Sequence, residues 1–273
     1  MSVWINGRRG AAIDYRDRGL QYGDGLFETM RVRRRTVRLL DYHVQRLYLG
    51  CARLHIAPPD ERRLRREIVR AAALRDEGVL KLIVTRGLGA RGYRPSGRER
   101  TTRILALGAL PAHAGAGART GAKLRLCATR LGTNAQLAGV KSLNRLEQVM
   151  ARLEWRDARI LEGLMLDADA NIVCGTMSNV FVRRGGHLLT PPVDRCGVAG
   201  VMRRWVLEQA APLGLRPSLR RLQFEDLVGA DEVFISNAVV GVMPVAVIAH
   251  RKIRLRLPCR AVARSLQKRL EAV

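Results

Sequence analysis

Lysine is the rarer of the two basic residue types, lysine and arginine, in this chain, which makes every lysine a candidate for amine chemistry. The 273 residues include 49 lysines and arginines, and the lysines are Lys81, Lys123, Lys141, Lys252 and Lys268. Arginine can carry a solvent-facing charge equally well, whereas Schiff-base chemistry requires an amine that can lose its proton. The chain therefore offers few candidates for such a role.

Two lysines lie in sequence contexts of particular interest. Lys141 stands between a small apolar run, residues 137–140, and a predicted helix start. Partial burial there would depress the pKa of the lysine and favour the nucleophilic amine. Lys81 lies in a predicted strand, where a lysine commonly extends to the sheet edge. The residues alone leave both candidates open.

A second pattern points to an anion. Residues 197–200, Gly-Val-Ala-Gly, directly precede a predicted helix that begins at Val201. The first amides of that helix, at the positive end of its dipole, could hold a phosphate, although an ordinary helix-entry turn has the same pattern. Arg46 could clamp a phosphate or be a solvated cation. Asn237 could simply bond nearby backbone.

Composition limits the class of partner. The 49 lysines and arginines face 24 aspartates and glutamates, which gives a net charge of +25. Such a charge suits nucleic acid, but the arginines are spread from Arg8 to Arg269 and only 4% of the residues are aromatic. No zinc-finger or RNP-like pattern occurs either. We therefore expect no nucleic-acid partner.

Cysteine usage and hydropathy indicate the compartment. The five cysteines are an odd number without a CxxC pair, which predicts neither a disulfide framework nor a metal site. The longest uncharged apolar stretch, residues 233–249, is interrupted by Ser236, Asn237 and Pro244, so we expect no membrane span. The N-terminus has no apolar export segment, which favours the cytoplasm.

Strands and helices are predicted in two blocks. The first block holds a hairpin turning at Asn6-Gly7, helices from Leu40 and after Asp60, and strands over 26–32, 79–85 and 102–107. The second block holds strands over 123–129, 163–167, 179–183 and 231–236. Its helices are predicted over 201–211, over 260–271 and through the apolar residues Leu143, Leu146, Met150 and Leu153. The Ala/Gly-rich residues 112–121 predict a linker between an N-terminal domain, 1–111, and a larger domain, 122–273.

Six segments together resemble the fold-type IV pyridoxal-phosphate (PLP) enzymes, the class-IV aminotransferase-like family. They are DRGLQYGDGLFET (17–29), HVQRL (43–47), RGY (91–93), LAGVKSLNRLEQV (137–149), GVAGVMR (197–203) and ADEVFISN (230–237). Asn-Arg-Leu-Glu-Gln at 144–148 is similar to the aminodeoxychorismate lyases of this family rather than to its branched-chain or D-amino-acid transaminases. The resemblance covers nearly the whole chain.

The resemblance implies a fold and a reaction. The fold is α/β (α+β) with two domains, a small N-terminal α/β domain and a larger C-terminal mixed α/β pseudo-barrel domain that binds PLP. The reaction converts dianionic 4-amino-4-deoxychorismate to 4-aminobenzoate, a folate precursor, and pyruvate. The resemblance also implies a homodimer.

Single residues receive roles in the same way. Lys141 would be the Schiff-base lysine and proton shuttle, which decides against Lys81. The predicted phosphate contacts are Arg46 and the backbone at Val201, Met202, Asn237 and Ala238. The predicted substrate contacts are Arg91 and Tyr93, reaching in from the neighbouring subunit, together with Glu28 and Arg31.

One predicted cofactor contact departs from the family pattern. Cys174 lies where these enzymes usually carry a glutamate that keeps the pyridine nitrogen protonated. A thiol with an ordinary pKa near 8.5 is a poorer partner for a pyridinium than a carboxylate. We therefore expect a weaker electron sink, which favours a lyase because aromatisation lowers the demand on that sink. The alternatives are a transaminase on the same scaffold and a catalytically weak basic binding protein.

Overall fold

The computed structural model describes residues 1–10, 12–111, 120–250, 253–257 and 260–272. It divides into two compact units, Met1–Pro111 with Val140–Asn144 and Ala112–Gly139 with Arg145–Val273. The predicted linker, residues 112–121, falls mainly on residues 112–119, which lie outside the described residues. The domain boundaries at 111 and 122 stay a prediction.

The first unit is built on a six-stranded antiparallel sheet in the order β2-β1-β6-β5-β3-β4. Its strands are β1 (Ser2–Ile5), β2 (Arg8–Arg9), β3 (Gly25–Arg33), β4 (Thr36–Val37), β5 (Glu77–Thr85) and β6 (Thr102–Gly108). Its helices are α1 (Arg18–Tyr22), α2 (Leu40–Arg53) and α3 (Glu61–Ala72). The predicted hairpin, strands and two helices are confirmed here, whereas α1 was not predicted.

Alternation along β3 determines what the sheet presents to the helices. Leu26, Met30 and Val32 are buried and join one apolar core with Leu47 and Cys51 of α2. Because side chains alternate between the two faces of a strand, residue 28 shares the buried face with them. The sequence places a glutamate there, so the fold carries a carboxylate into its core.

The second unit contains a nine-stranded sheet in the order β12-β11-β10-β13-β14-β7-β8-β9, with β15 paired to β14. Its strands are β7 (Ala122–Arg130), β8 (Glu162–Leu166), β9 (Ile172–Gly175), β10 (Asn179–Arg184), β11 (His187–Thr190), β12 (Arg216–Leu219), β13 (Glu232–Asn237), β14 (Gly241–His250) and β15 (Ile253–Arg256). Its helices are α4 (Leu146–Leu153), α5 (Val201–Glu208), α6 (Phe224–Val228) and α7 (Ala261–Glu271). Parallel and antiparallel pairs both occur, which makes the sheet mixed.

The helix predicted through Leu143 is shorter than expected. It begins at Leu146, because the Leu143 amide donates to the Gly25 carbonyl at 3.0 Å in a strand-like pairing with β3. The apolar residues of this helix also face outward. Leu146, Val149, Met150 and Leu153 are between 51% and 79% exposed. Among the described residues, no helix combines the length and apolar character needed to cross a membrane.

Candidate active site

Lys141 is held in the first unit by pairing with the start of β3. The Phe27 amide donates to the Lys141 carbonyl at 3.1 Å, and Leu26 and Ser142 form an antiparallel bridge. This pairing places Lys141 Nζ 4.0 Å from the centroid of the Phe27 ring. The aromatic face fixes where the amine can lie.

The competing lysine approaches the same ring. Lys81 on β5 faces Thr29 of β3, and its Nζ lies 5.4 Å from the Phe27 centroid. Lys81 is exposed, whereas Lys141 is half-buried. The structure therefore brings both predicted amines to Phe27 with different access to solvent.

Glu28 joins two side chains of α2 on the buried face of β3. Arg46 donates from Nε to Glu28 Oε1 at 2.8 Å and from Nη2 to Oε2 at 2.5 Å. His43 Nδ1 lies 2.5 Å from the same Oε2. The spacing of His43 and Arg46, three residues apart on a helix, directs both toward one carboxylate. A two-pronged ion pair of this kind fixes the plane of the guanidinium.

Burial and charge act in opposite directions on Glu28, which is 1% exposed. Burial alone would raise its pKa, but Arg46 and His43 outweigh it and lower the pKa to about 2. Burial also lowers the pKa of His43, and the Lys141 cation adds to that effect. Among the described residues, His43 Nε2 is a buried nitrogen without a hydrogen-bond partner. Such an atom is uncommon in a folded protein.

In the second unit, α5 begins at Val201, as the sequence predicted, and a glycine-containing loop precedes it. The Gly139 amide donates to the Gly197 carbonyl and the Ala199 amide to the Gly139 carbonyl, both at 3.0 Å. Gly197 takes a φ of +84°, which favours glycine. Gly200 is the N-cap of α5 and has no side chain to cap the following amides of Val201 and Met202.

Two asparagines shape the neighbouring backbone. Asn179 Nδ2 donates to the Val198 carbonyl at 2.9 Å, and its oxygen packs so closely on Gly200 that a Cβ there would lie 2.0 Å away. Asn237 Oδ1 accepts from the amides of Val239 and Val240 at 2.9 Å. Asn237 thus bonds local backbone, whereas Asn179 bonds the loop before α5, and Ala238 lies inside the turn that Asn237 holds.

Cys174 lies beside the same loop. A Cβ on Gly197 would lie 3.9 Å from its Sγ, and Cys174 packs in a core cluster with Cys127 and Cys196. Burial raises the pKa of Cys174 to about 12, and the charge of Glu162 adds to the effect. The thiol is therefore neutral at neutral pH. The partly buried guanidinium of Arg145 is the nearby cation that acts on it.

Sequence reasoning did not single out Glu162, which organises the turn after Cys174. Its carboxylate, 1% exposed, accepts from the amides of Thr176 and Met177 at 3.0 and 3.1 Å and from the hydroxyls of Thr176 and Ser178 at 2.5 and 2.8 Å. No local motif marks it, since these partners lie in the turn between β9 and β10. Among the described residues, no cluster of histidine, cysteine and carboxylate side chains could hold a metal ion.

The predicted substrate contacts occupy different surroundings. Arg31 pairs with Glu77 across β3 and β5, and Glu28 is engaged with α2 as described. Arg91 and Tyr93 lie in the loop between β5 and β6, both exposed, with Tyr93 86% exposed. The structure does not bring Arg91 and Tyr93 together with Glu28 by any described contact.

Comparison with known proteins identifies the family. The sequence profile of the family described as Amino-transferase class IV matches residues 25–248. The chain belongs to this family. Class IV membership confirms the predicted family, fold class, enzymatic character and PLP cofactor.

Individual class IV relatives cover nearly the full chain. A 4-amino-4-deoxychorismate lyase structure from Pseudomonas aeruginosa is 45% identical with a TM-score of 0.93, covering 99% of this chain and 98% of that one. An aminodeoxychorismate lyase of Vibrio harveyi is 35% identical over 98% of both chains. A putative branched-chain-amino-acid aminotransferase of Methanocaldococcus jannaschii is 32% identical over 93% of this chain and 90% of its own.

Proposed function

We propose that this class IV protein is a PLP-dependent lyase that converts 4-amino-4-deoxychorismate to 4-aminobenzoate and pyruvate. The likeness to the Pseudomonas aeruginosa lyase, at 45% identity over 99% of the chain, carries the proposal. The sequence 144–148, which resembles the lyases, supports the same choice.

Several observations fit a PLP group. Lys141 supplies a half-buried amine whose Nζ lies 4.0 Å from the centroid of the Phe27 ring. Arg46 presents a cation fixed by Glu28, and His43 Nε2 is a buried polar atom without a protein partner. The uncapped amides at the start of α5 suit a phosphate.

The roles of the individual residues follow from that fit and from the family resemblance. Lys141 holds the cofactor covalently and Arg46 binds its phosphate. The further cofactor contacts are Cys174, Val201, Met202, Asn237 and Ala238. Arg91 and Tyr93 bind the carboxylates of the substrate, because arginine recognises carboxylates through paired hydrogen bonds. Arg31 is a further proposed substrate contact, whereas Glu28, which binds both Arg46 and His43, orients Arg46.

When bound, PLP supplies an electron sink. Lys141 Nζ would accept a proton from the substrate ring. Loss of that proton and cleavage of the ring C–O bond would leave an aromatic ring and release enolpyruvate, which takes up a proton to become pyruvate. Glu28 keeps Arg46 in one orientation through both steps, and the Phe27 ring keeps the amine within reach.

Product analysis tests the proposal. PLP-loaded protein supplied with 4-amino-4-deoxychorismate is expected to release pyruvate and 4-aminobenzoate in equal amounts. The 32% identity to a putative branched-chain aminotransferase makes a transaminase the second candidate. Amino-group transfer to a 2-oxo acid without product release would favour that candidate. Salt-sensitive nucleic-acid binding without PLP uptake would favour a binding protein.

Replacing Cys174 with a carboxylate residue tests the proposed contact between this position and the pyridine nitrogen of the cofactor. We expect Cys174→Glu to raise turnover or tighten PLP several-fold, because a carboxylate stabilises a pyridinium better than a neutral thiol. Cys174→Gln is the matched control, since it adds the same volume without the charge. Steady-state kinetics and PLP titration of both variants provide the comparison. Equal turnover and equal PLP affinity in Cys174→Glu, Cys174→Gln and the wild type would show that this position does not limit the enzyme.

We also propose a homodimer that acts in the cytoplasm. The outward-facing Leu146, Val149, Met150 and Leu153 of α4 form an apolar surface that a second subunit could cover. The buried cysteines Cys51, Cys127, Cys174 and Cys196 are free thiols, which fits a reducing compartment.

Charge on α4 should disrupt that dimer. We expect the double variant Leu146→Glu, Leu153→Glu to halve the mass measured by light scattering after gel filtration, because buried unpaired carboxylates oppose association. Val69→Glu, on the exposed side of α3, is the control and should leave the mass unchanged. A wild-type protein of monomer mass would contradict the proposal.

A further inference from the structure

Arg18, the first residue of α1, is buried, and the proposed reaction assigns it no role. It is 3% exposed, and its guanidinium lies 4.9 Å from the Tyr22 ring centroid. Its Nε donates to Asp24 Oδ2 at 2.9 Å. Burying an arginine is costly unless its remaining donors are also satisfied.

Those partners are backbone atoms of the loop between β5 and β6. Arg18 donates from Nη1 to the Gly92 carbonyl at 2.9 Å and from Nη2 to the Tyr93 carbonyl at 2.8 Å. The side chain also packs against Gly89, where a Cβ would lie 2.7 Å from Arg18 Cδ. One planar fork therefore spans Asp24 and two consecutive loop carbonyls, which a lysine cannot reproduce.

Two further contacts reinforce the same attachment. The Gly92 amide donates to the Tyr22 hydroxyl at 3.1 Å, and the Tyr22 and Tyr93 rings meet edge to face with centroids 5.5 Å apart. Asp24 also accepts from Arg86 at 2.7 Å, which ties the beginning of the loop to the carboxylate that Arg18 uses. The loop is thus fixed at its start and at Gly92–Tyr93.

The attachment leaves the loop's own cations available. Arg91, Arg94 and Arg98 are exposed and have no acidic partner among the described residues. Glu99, the acidic residue next to them, instead accepts from the amides of Ser96 and Gly97 at 2.6 and 2.9 Å. Arg18 holds this cationic loop through carbonyl oxygens and so neutralises none of its charges.

We propose that Arg18 is a positioning residue that fixes Arg91 and Tyr93 for binding of the anionic substrate. This inference rests on the proposed function, in which Arg91 and Tyr93 are the substrate contacts. Arg18 binds the carbonyls of Gly92, which lies between these two residues, and of Tyr93 itself, without touching the substrate. Its loss should therefore weaken substrate binding and leave PLP loading intact.

The test compares Arg18→Met and Arg18→Lys with Arg9→Met, an exposed arginine of β2 in the same unit. Limited trypsin digestion, followed by mass spectrometry, reports cleavage after Arg91 and needs no substrate. We expect Arg18→Met to accelerate that cleavage about tenfold, because fewer contacts oppose local opening. KM for 4-amino-4-deoxychorismate should rise by a similar factor with kcat changed less than about threefold. Arg18→Lys should fall between Arg18→Met and the wild type, and Arg9→Met should match the wild type.

The outcomes separate the inference from the proposed function. Unchanged cleavage in Arg18→Met overturns the inference, and so does faster cleavage with an unchanged KM. If Arg18→Met does not fold, Tyr22→Phe replaces it in the test, because it removes only the hydroxyl that accepts from Gly92. The cleavage rate after Arg91 and KM should then both rise about two- to threefold. A wild type that releases no product overturns the proposed function, and the digestion still decides whether Arg18 holds the loop.

Discussion

Lys141→Ala is expected to abolish product release, with a loss of about a thousandfold or more relative to the wild type. The variant loses both the covalent attachment of the cofactor and the base that takes the substrate proton. Alanine keeps the backbone pairing with Phe27, so the fold should persist. Release of pyruvate and 4-aminobenzoate, together with PLP retained after borohydride reduction and denaturation, measures the two losses separately.

Lys81→Ala is the matched control because its amine approaches the same Phe27 ring at 5.4 Å. We expect it to retain covalent PLP and activity within a few-fold of the wild type. If Lys81→Ala lost covalent PLP and Lys141→Ala kept it, the roles of the two lysines would be exchanged. If both variants kept covalent PLP, neither lysine would form the Schiff base.

Glu28→Gln is expected to lower the free energy of unfolding by about 3 kcal/mol, because it leaves Arg46 without its anionic partner in a largely buried site. It should also weaken PLP binding, since Arg46 loses the two-pronged contact that orients it. Urea denaturation and PLP titration measure the two effects. Glu61→Gln, which breaks an exposed pair with Arg65, should cost less than about 0.5 kcal/mol.

The same site predicts an acid dependence of stability. The folded-state pKa of Glu28 is about 2, below its ordinary value of 4.5, so its contribution is present above pH 4.5 and is lost as the pH falls toward 2. His43 acts in the same direction from its ordinary value of 6.5 downward, because folding disfavours its protonated form. Wild-type stability should therefore fall with acid more steeply than that of Glu28→Gln. Parallel curves would contradict the assigned role of Glu28.

Local sequence patterns predicted the helices and strands but not the side-chain contacts between them. The three- and four-residue spacing of α2 and the N-cap Asp60 depend on nearby residues, and both predictions are confirmed. The triad of Glu28, His43 and Arg46 depends on pairing between a strand and a helix, which no local pattern encodes. The sequence therefore supplied Arg46 as a candidate without the carboxylate that orients it.

Helix α4 shows a different limit. Periodicity predicts which residues share a helix face, but it does not state what covers that face. Leu146 and Leu153 fulfil the pattern and remain exposed, while the small Ala151 is the buried residue. Glu162 was missed for a related reason: its partners Thr176 and Ser178 lie in the turn between β9 and β10, distant in sequence from Glu162.

The pairing of Leu26 with Ser142 has a consequence for synthesis of the chain. The segment Val140–Asn144 belongs to the first unit, although the residues on both sides of it belong to the second. A nascent chain that has emerged only as far as Pro111 cannot form this pairing, because its partner has not yet been translated. Since domains generally fold as units during translation, completion of the first unit must wait for the second to begin emerging. Lys141, the lysine proposed to carry the cofactor, is thus the last of the first-unit site residues to be translated. A truncated chain would expose the other residues of that site but could not bind the cofactor covalently.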